Sequence, residues 1–175
     1  MISRQITIRP QDIVALLKIV SFNKSGQSPW MRKDLATALF LSNSEITNVF
    51  ERLQHTGLID VNSYAVQSQA LYEFLLYGLK HTFPAIIGQE TKGVITSVNA
   101  IPGSGIKAPN YVWPDYKGNQ RGYSVTPLYP EVTTAAKEDN KLHQLLAACD
   151  VFRIGQVREV NFARNWLKKE LLNQD

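Results

Sequence analysis

Residues 35–59 read LATALFLSNSEITNVFERLQHTGLI, and the fold turns on how this stretch is parsed. Ser42 precedes an apolar-periodic run and Glu45 follows it by three residues, the pairing of a capping box at a helix start. Gly57 stands where a helix of that length would stop. Between them, at 100° per residue, Ile46, Val49, Phe50 and Leu53 fall on one side. Ser44, Thr47, Asn48, Glu51 and His55 fall on the other. The first set has to face a core. The second is a stripe of short, mostly uncharged polar groups, whereas an ordinary solvated face favours Lys and Glu. Ser, Thr and Asn lower helix propensity, so something else favours them here. Reading base edges is such a reason, since Asn can bond adenine bidentately and Ser or Thr can bond several bases or phosphates. A generic exposed face is the alternative.

Working outward, Pro10 suits a first helical position and Asp12 the first turn. Ile13, Leu16, Leu17 and Val20 then recur at i, i+3, i+4 and i+7, an apolar helical face. Asn23 to Gln27, with Gly26, reads as a loop. Ser28-Pro29 predicts a cap and first position for a second helix, running to about Phe40 and burying Leu35, Ala36 and Leu39. On the far side, Leu58-Ile59-Asp60-Val61 and Tyr64-Ala65-Val66 predict a β-hairpin turning at Asn62-Ser63. Three helices followed by a hairpin is the order of a winged helix-turn-helix.

The run Leu35-Ala36, Leu39, Leu41-Ser42, Ser44, Ile46-Thr47-Asn48, Leu53 and Gly57-Leu58-Ile59 resembles MarR-type winged helix-turn-helix transcriptional regulators. The resemblance covers residues 13–66 and is strongest over 28–59. It implies a recognition helix at about 43–56 in the DNA major groove, with the hairpin wing near the phosphates or minor groove. By position it implies DNA contacts from Ser42, Ser44, Thr47 and Asn48. Arg32 and Lys33, near the start of helix two, are candidates for flanking phosphates. Arg52 lies on the side of helix three, within reach of phosphate or of Glu45 or Glu51 on its own helix. The chain departs from the family in having Asn48 where Arg is frequent. The expected wing, Asp60 to Val66, has no Lys or Arg. Either that wing does not grip DNA, or the surface makes protein contacts.

Beyond the hairpin, Ser68 is placed to cap a helix through roughly His81. Ala70, Leu71, Phe74, Leu75, Leu76 and Leu79 make it apolar around most of its circumference, as for a helix buried from several sides. It is expected to pack under the C-terminal region or to form a homodimer. Residues 83–130 hold 6 of the 8 prolines and 6 of the 10 glycines, yet carry six of the chain's tyrosines, tryptophans and phenylalanines. Ile95 to Ile101 is a candidate strand. Tyr111-Val112-Trp113 and Gly122 to Val125 suggest two strands across a turn. This extended segment is expected either to cover the core or to offer a ligand or partner surface at Trp113, Tyr116, Lys117, Arg121 and Tyr123. Leu142, Leu145, Leu146 and Cys149 mark another helix, broken at Gly155. A last helix, about Arg158 to Leu172, has an apolar seam at Val160, Ala163, Trp166 and Leu167 and a solvated face at Arg158, Arg164, Lys168 and Lys169.

The fold class expected is therefore α+β, mostly α. Residues 1–82 form a winged-helix domain with its following helix, 83–130 an extended and partly β segment, and 131–175 a helical segment for packing or dimerisation. A net charge of +4 permits nucleic-acid binding without arguing for it. The one cysteine excludes an internal disulfide framework. It reads as an inert buried thiol. His55, His81 and His143 have no metal-ligand spacing and no partnered nucleophile. Gly103-Ser104-Gly105 lacks the context of a phosphate loop. No enzyme, metal or cofactor is expected. The polar opening Met1 to Gln5 and the short apolar runs suggest neither signal peptide nor membrane span, hence a cytoplasmic protein. The function expected is a sequence-specific regulator of transcription that binds double-stranded DNA, with repression its anticipated sense. A winged-helix protein-interaction module, such as an antitoxin or assembly subunit with a protein partner, is the alternative.

Overall fold

Pro10 begins helix α1 (Pro10–Lys24), and the Arg9 amide donates to Asp12 Oδ2 at 2.8 Å to close its first turn. In this computed structural model, which describes residues 5–173, α1 is the helix around which the others are laid. The expected single apolar face is too narrow an account of it. Ile13 through Leu17 are all fully buried, and Ile19 and Phe22 join them. The helix packs on α2 (Arg32–Leu39) and α3 (Asn43–Thr56) and also on α7 (Asn140–Ile154). A helix that is apolar all round has to be enclosed in this way.

Helix α2 starts later than the sequence suggests. Ser28-Pro29 lies outside it, and Arg32 is its first residue because the Asp34 carboxylate accepts from the Met31 amide at 2.8 Å. It ends at Phe40, whose left-handed backbone (φ 57°) reverses the chain into α3. There Ser42 Oγ accepts from the Glu45 amide at 3.1 Å, and Gly57 closes the helix with φ 70°. The reciprocal half of the expected capping box is missing, since the Glu45 carboxylate turns to Arg52.

The hairpin wing is not formed. A single bridge, Ile59 with Val66, stands in place of two strands. Asp60 organises the turn by accepting from the amides of Asn62 and Ser63 and from Ser63 Oγ. Those bonds, with the left-handed backbone of Tyr64 (φ 56°), bring the chain back before strands can extend.

Helices α4 (Ser68–Glu73) and α5 (Leu79–Thr82) are joined by a π-helical turn, Phe74–Gly78. Ser68 is the first helical residue and makes no capping bond. Leu71, Tyr72, Leu75 and Leu79 are buried within the chain, where α4 meets α8 (Val157–Leu172) and α5 meets α7. In α8, Ala163 and Leu167 are buried, while Val160 and Trp166 are half-buried against the core. The two seams expected to pair copies of the chain pack on each other within it.

Strands β1 (Ile87–Thr96), β2 (Tyr111–Pro114) and β3 (Gln120–Val125) close into a small barrel. The strand expected at 95–101 thus lies earlier, and Ser97–Ala100 is a 3-10 turn. β1 runs antiparallel to both partners, and β2 and β3 pair in parallel at Tyr111/Tyr123 and Val112/Ser124. Closure needs glycine: a Cβ on Gly93 would lie 2.1 Å from the Trp113 carbonyl oxygen, and one on Gly118 would lie 2.2 Å from that of Gly93.

The barrel is fastened to α7 by a buried polar cluster. Asp150 accepts from Trp113 Nε1 and Thr96 Oγ1, each at 2.7 Å, and from Arg153 at 2.8 Å. Arg153 also donates to the carbonyls of Phe83 and Thr126. Helix α6 (Val132–Glu138) leads into α7 through Asp139. That carboxylate caps α7 by accepting from the Leu142 amide, and it binds Lys18 and Ser21 of α1. Burial alone would push its pKa up; the Lys18, Ser21 and Leu142 donors outweigh that and hold it below the ordinary carboxylate value. Tyr129 donates to the Leu39 carbonyl at 2.8 Å, so the middle segment is tied to α2 as well. One apolar core runs through all three regions distinguished in the sequence. Among the described residues no helix is long and apolar enough to cross a membrane; Met1 to Arg4 of the polar opening lie outside them.

Asp150→Ala would strand the Arg153 charge in the core and is expected to lower unfolding stability by roughly 3–5 kcal/mol. Urea denaturation measures it, and a loss typical of a surface carboxylate would show that the barrel is held by apolar contacts alone. Cys149 is wholly buried and its thiol is pushed up by that burial. It should resist a thiol reagent in the native protein and react fully once urea unfolds the chain.

Candidate nucleic-acid interface

The orientation of α3 is set by a charge cluster. Arg52 makes a two-armed pair with Asp12 of α1, Nε to Oδ2 at 2.8 Å and Nη2 to Oδ1 at 2.7 Å, and a third bond to Glu45 at 2.8 Å. Asp12 is fully buried and Arg52 nearly so. The two carboxylates raise the Arg52 pKa further above its ordinary value. Glu45 is only partly buried; that burial pushes its carboxyl up, but the bonds from Arg52, Asn48 and Gln11 leave it below its usual value. Arg52, a candidate for DNA phosphate, is therefore occupied inside the protein. Of the alternatives open in the sequence, its pairing with Glu45 is the one found, and Asp12 adds a partner 40 residues away.

With the apolar side of α3 buried, Ser44, Thr47, Asn48, Glu51 and His55 are all exposed on the opposite side. Their free hydrogen-bonding capacity differs. Ser42 is engaged as the cap, with Ser44 Oγ 3.0 Å from its hydroxyl. Thr47 Oγ1 donates to the Asn43 carbonyl, which leaves its methyl and lone pairs outward. The Asn48 amide touches Glu45 only at 3.5 Å, so its carbonyl and most of its donor capacity face solvent. His55 Nδ1 lies 3.0 Å from the Glu51 carbonyl.

Arg32 and Lys33 are exposed at the start of α2. Arg32 is held in place by aromatic rings, its guanidinium carbon 4.7 Å from the Phe50 centroid and 5.1 Å from that of Tyr64. Trp30 stacks on Phe50 at 6.2 Å, and Phe22 on Trp30 at 6.4 Å. Trp30, Phe50, Tyr64 and Arg32 line a cleft of about 400 Å³ beside α3, completed by Asn23, Ser28 and Ser63. No local spacing signals this ladder, because its members come from four separate segments.

The second surface expected from the sequence survives in part. Trp113 is buried, with its indole N–H on Asp150, and cannot face a ligand. Tyr116 and Tyr123 are exposed. Lys117 Nζ lies 5.4 Å from the Tyr116 ring centroid, and Arg121 pairs with Glu90 at 3.3 Å. Of the solvated face expected on α8, Arg158, Arg164 and Lys169 are exposed and Lys168 is half-buried. No group of His, Cys, Asp and Glu among the described residues is arranged to hold a metal ion. His143 Nε2 lies 2.7 Å from the Ile95 carbonyl.

No family of proteins matches this chain, and neither curated proteins nor solved structures provide a match to it.

Ser42→Ala removes the α3 cap and should cost about 1 kcal/mol. Ser44→Ala, two residues on, should stay within about 0.5 kcal/mol. Parallel urea titrations separate the two, and equal losses would show that Ser42 is not the residue that holds the helix start.

Proposed function

We infer that the chain is a sequence-specific regulator of transcription that reads double-stranded DNA with the outer face of α3. The observation that carries this reading is the solvent face of that helix. It is lined by short groups that can bond base edges, and the Asn48 amide among them has one long contact, to Glu45 at 3.5 Å. Lys33 and Arg32 stand at the start of the preceding helix, as residues that meet flanking phosphates would. The order α1–α2–α3 and the tight reversal at Phe40 support a helix-turn-helix. The MarR-type resemblance supports the same assignment for Ser42, Ser44, Thr47 and Asn48. With the wing reduced to a turn that carries Asp60 and no cation, base contacts rest on α3 alone. Pairing of two copies through surfaces outside α1–α3 would leave both α3 helices free to read paired half-sites about one DNA turn apart.

A second reading follows from two exposed apolar side chains. Met31 and Phe40, 55% and 47% exposed, flank the two ends of α2. They suit a protein partner laid along that helix, and a stoichiometric partner recovered with the chain would favour an interaction module over a regulator.

Selection of bound duplexes from random sequence tests the first reading. Asn48→Ala is expected to relax preference at one base pair, a loss of roughly 1–3 kcal/mol in discrimination. Lys33→Ala should weaken binding to all duplexes alike and reduce the salt slope by about one unit. No enrichment of any sequence, or an unchanged preference in the Asn48 variant, would overturn the assignment.

A further inference from the structure

The outward face of the barrel carries aromatic rings and cations in alternation. Arg121 and Tyr123 are two residues apart on β3 and both exposed, so they share one face about 7 Å apart. Across the β1–β3 ladder, Lys92 pairs with Arg121 and Glu90 with Tyr123. Across the parallel ladder, Tyr111 pairs with Tyr123, and their ring centroids are 6.3 Å apart. Lys92 also lines one hollow with Tyr116, which continues the strip to the turn, where Lys117 sits over the Tyr116 ring. Tyr116 is 81% exposed.

Three cations, Lys92, Lys117 and Arg121, thus stand among three tyrosines. Glu90 on this face is paired to Arg121. Asp115 lines the same hollow as Lys92 and Tyr116, where its carboxylate is engaged by Lys137 and by the Lys117 amide. Among the described residues neither Lys92 nor Lys117 forms an ion pair.

We propose that this face binds single-stranded nucleic acid, with bases stacked on Tyr123 and Tyr116 and phosphates met by Lys92, Arg121 and Lys117. Exposed rings interleaved with cations are what an unpaired strand needs, since every base has a face to stack and each link brings a negative charge. A duplex keeps its base faces covered and has nothing to offer the rings. An apolar protein partner would leave the cations without charge to meet. Separations of about 7 Å along the strand suit a few nucleotides.

The test is fluorescence anisotropy of a labelled oligothymidine titrated with the whole chain at low and raised salt. Binding is expected, and it should weaken with salt with a slope of about 2 for three phosphate contacts. Tyr123→Ala should weaken it on the order of tenfold, while Tyr123→Phe keeps the ring and binds as the parent does. Lys92→Ala and Arg121→Gln, both at exposed positions, should each reduce the salt slope by about 0.7. Asn48→Ala should leave this binding unchanged, so the result is independent of whether α3 reads a duplex. Failure to bind oligothymidine overturns the proposal. So does parent-like binding by both Tyr123→Ala and Arg121→Gln, or a loss in Asn48→Ala as large as theirs.

Discussion

Arg52 projects from α3 toward the interior, and a charged guanidinium there has to be matched or expelled. Asp12, at the first turn of α1, meets it with both carboxylate oxygens, and Glu45, two turns back on α3, takes what remains. Withdrawing Arg52 would leave the fully buried Asp12 carboxylate without its cation at a cost of about 3–5 kcal/mol, so the arrangement admits little rotation of α3 about its axis. Because the azimuth is fixed, Ile46, Val49, Phe50 and Leu53 stay inward and the polar stripe stays outward. The candidate interface is in that sense a consequence of a salt bridge on its reverse side.

The same device recurs at the other end of the molecule. Asp150 and Arg153 are each 2% exposed at their side chains and gather Trp113, Thr96 and the carbonyls of Phe83 and Thr126. A three-stranded barrel has little apolar interior of its own, so anchoring to α7 through directed bonds compensates for what its size cannot supply. Between the two clusters lies α1, joined to the start of α7 by Lys18, Ser21 and Asp139. The helical end and the barrel end are therefore coupled through one enclosed helix. These bonds tie the elements that carry both outward faces, α3 and the barrel, to one core.

Helix limits and faces were legible wherever the signal was local. Ser42, Gly57, Pro10 and Gly155 stand at helix ends as the sequence suggests, and the inward and outward residues of α3 divide as its period requires. The wing was misread because alternating apolar residues flank Asn62-Ser63, whereas Asp60 captures the turn amides and closes it early. Ser28-Pro29 was misread as a helix start because Asp34, six residues beyond Ser28, supplies the competing cap.

What the sequence determined by itself is the ends and inward side of α3 and the composition of its outer stripe, because these depend on contacts within one turn or one cap. What only the tertiary structure decided is which long side chains remain free. Arg52 looks like a surface cation until Asp12 arrives from 40 residues away, and Trp113 looks like a binding residue until Asp150 accepts its indole N–H. The apolar girth of α4 does not by itself name α8 as the helix packed against it. In each case the outcome depends on the burial and charge of a partner distant in the chain, which no local spacing encodes.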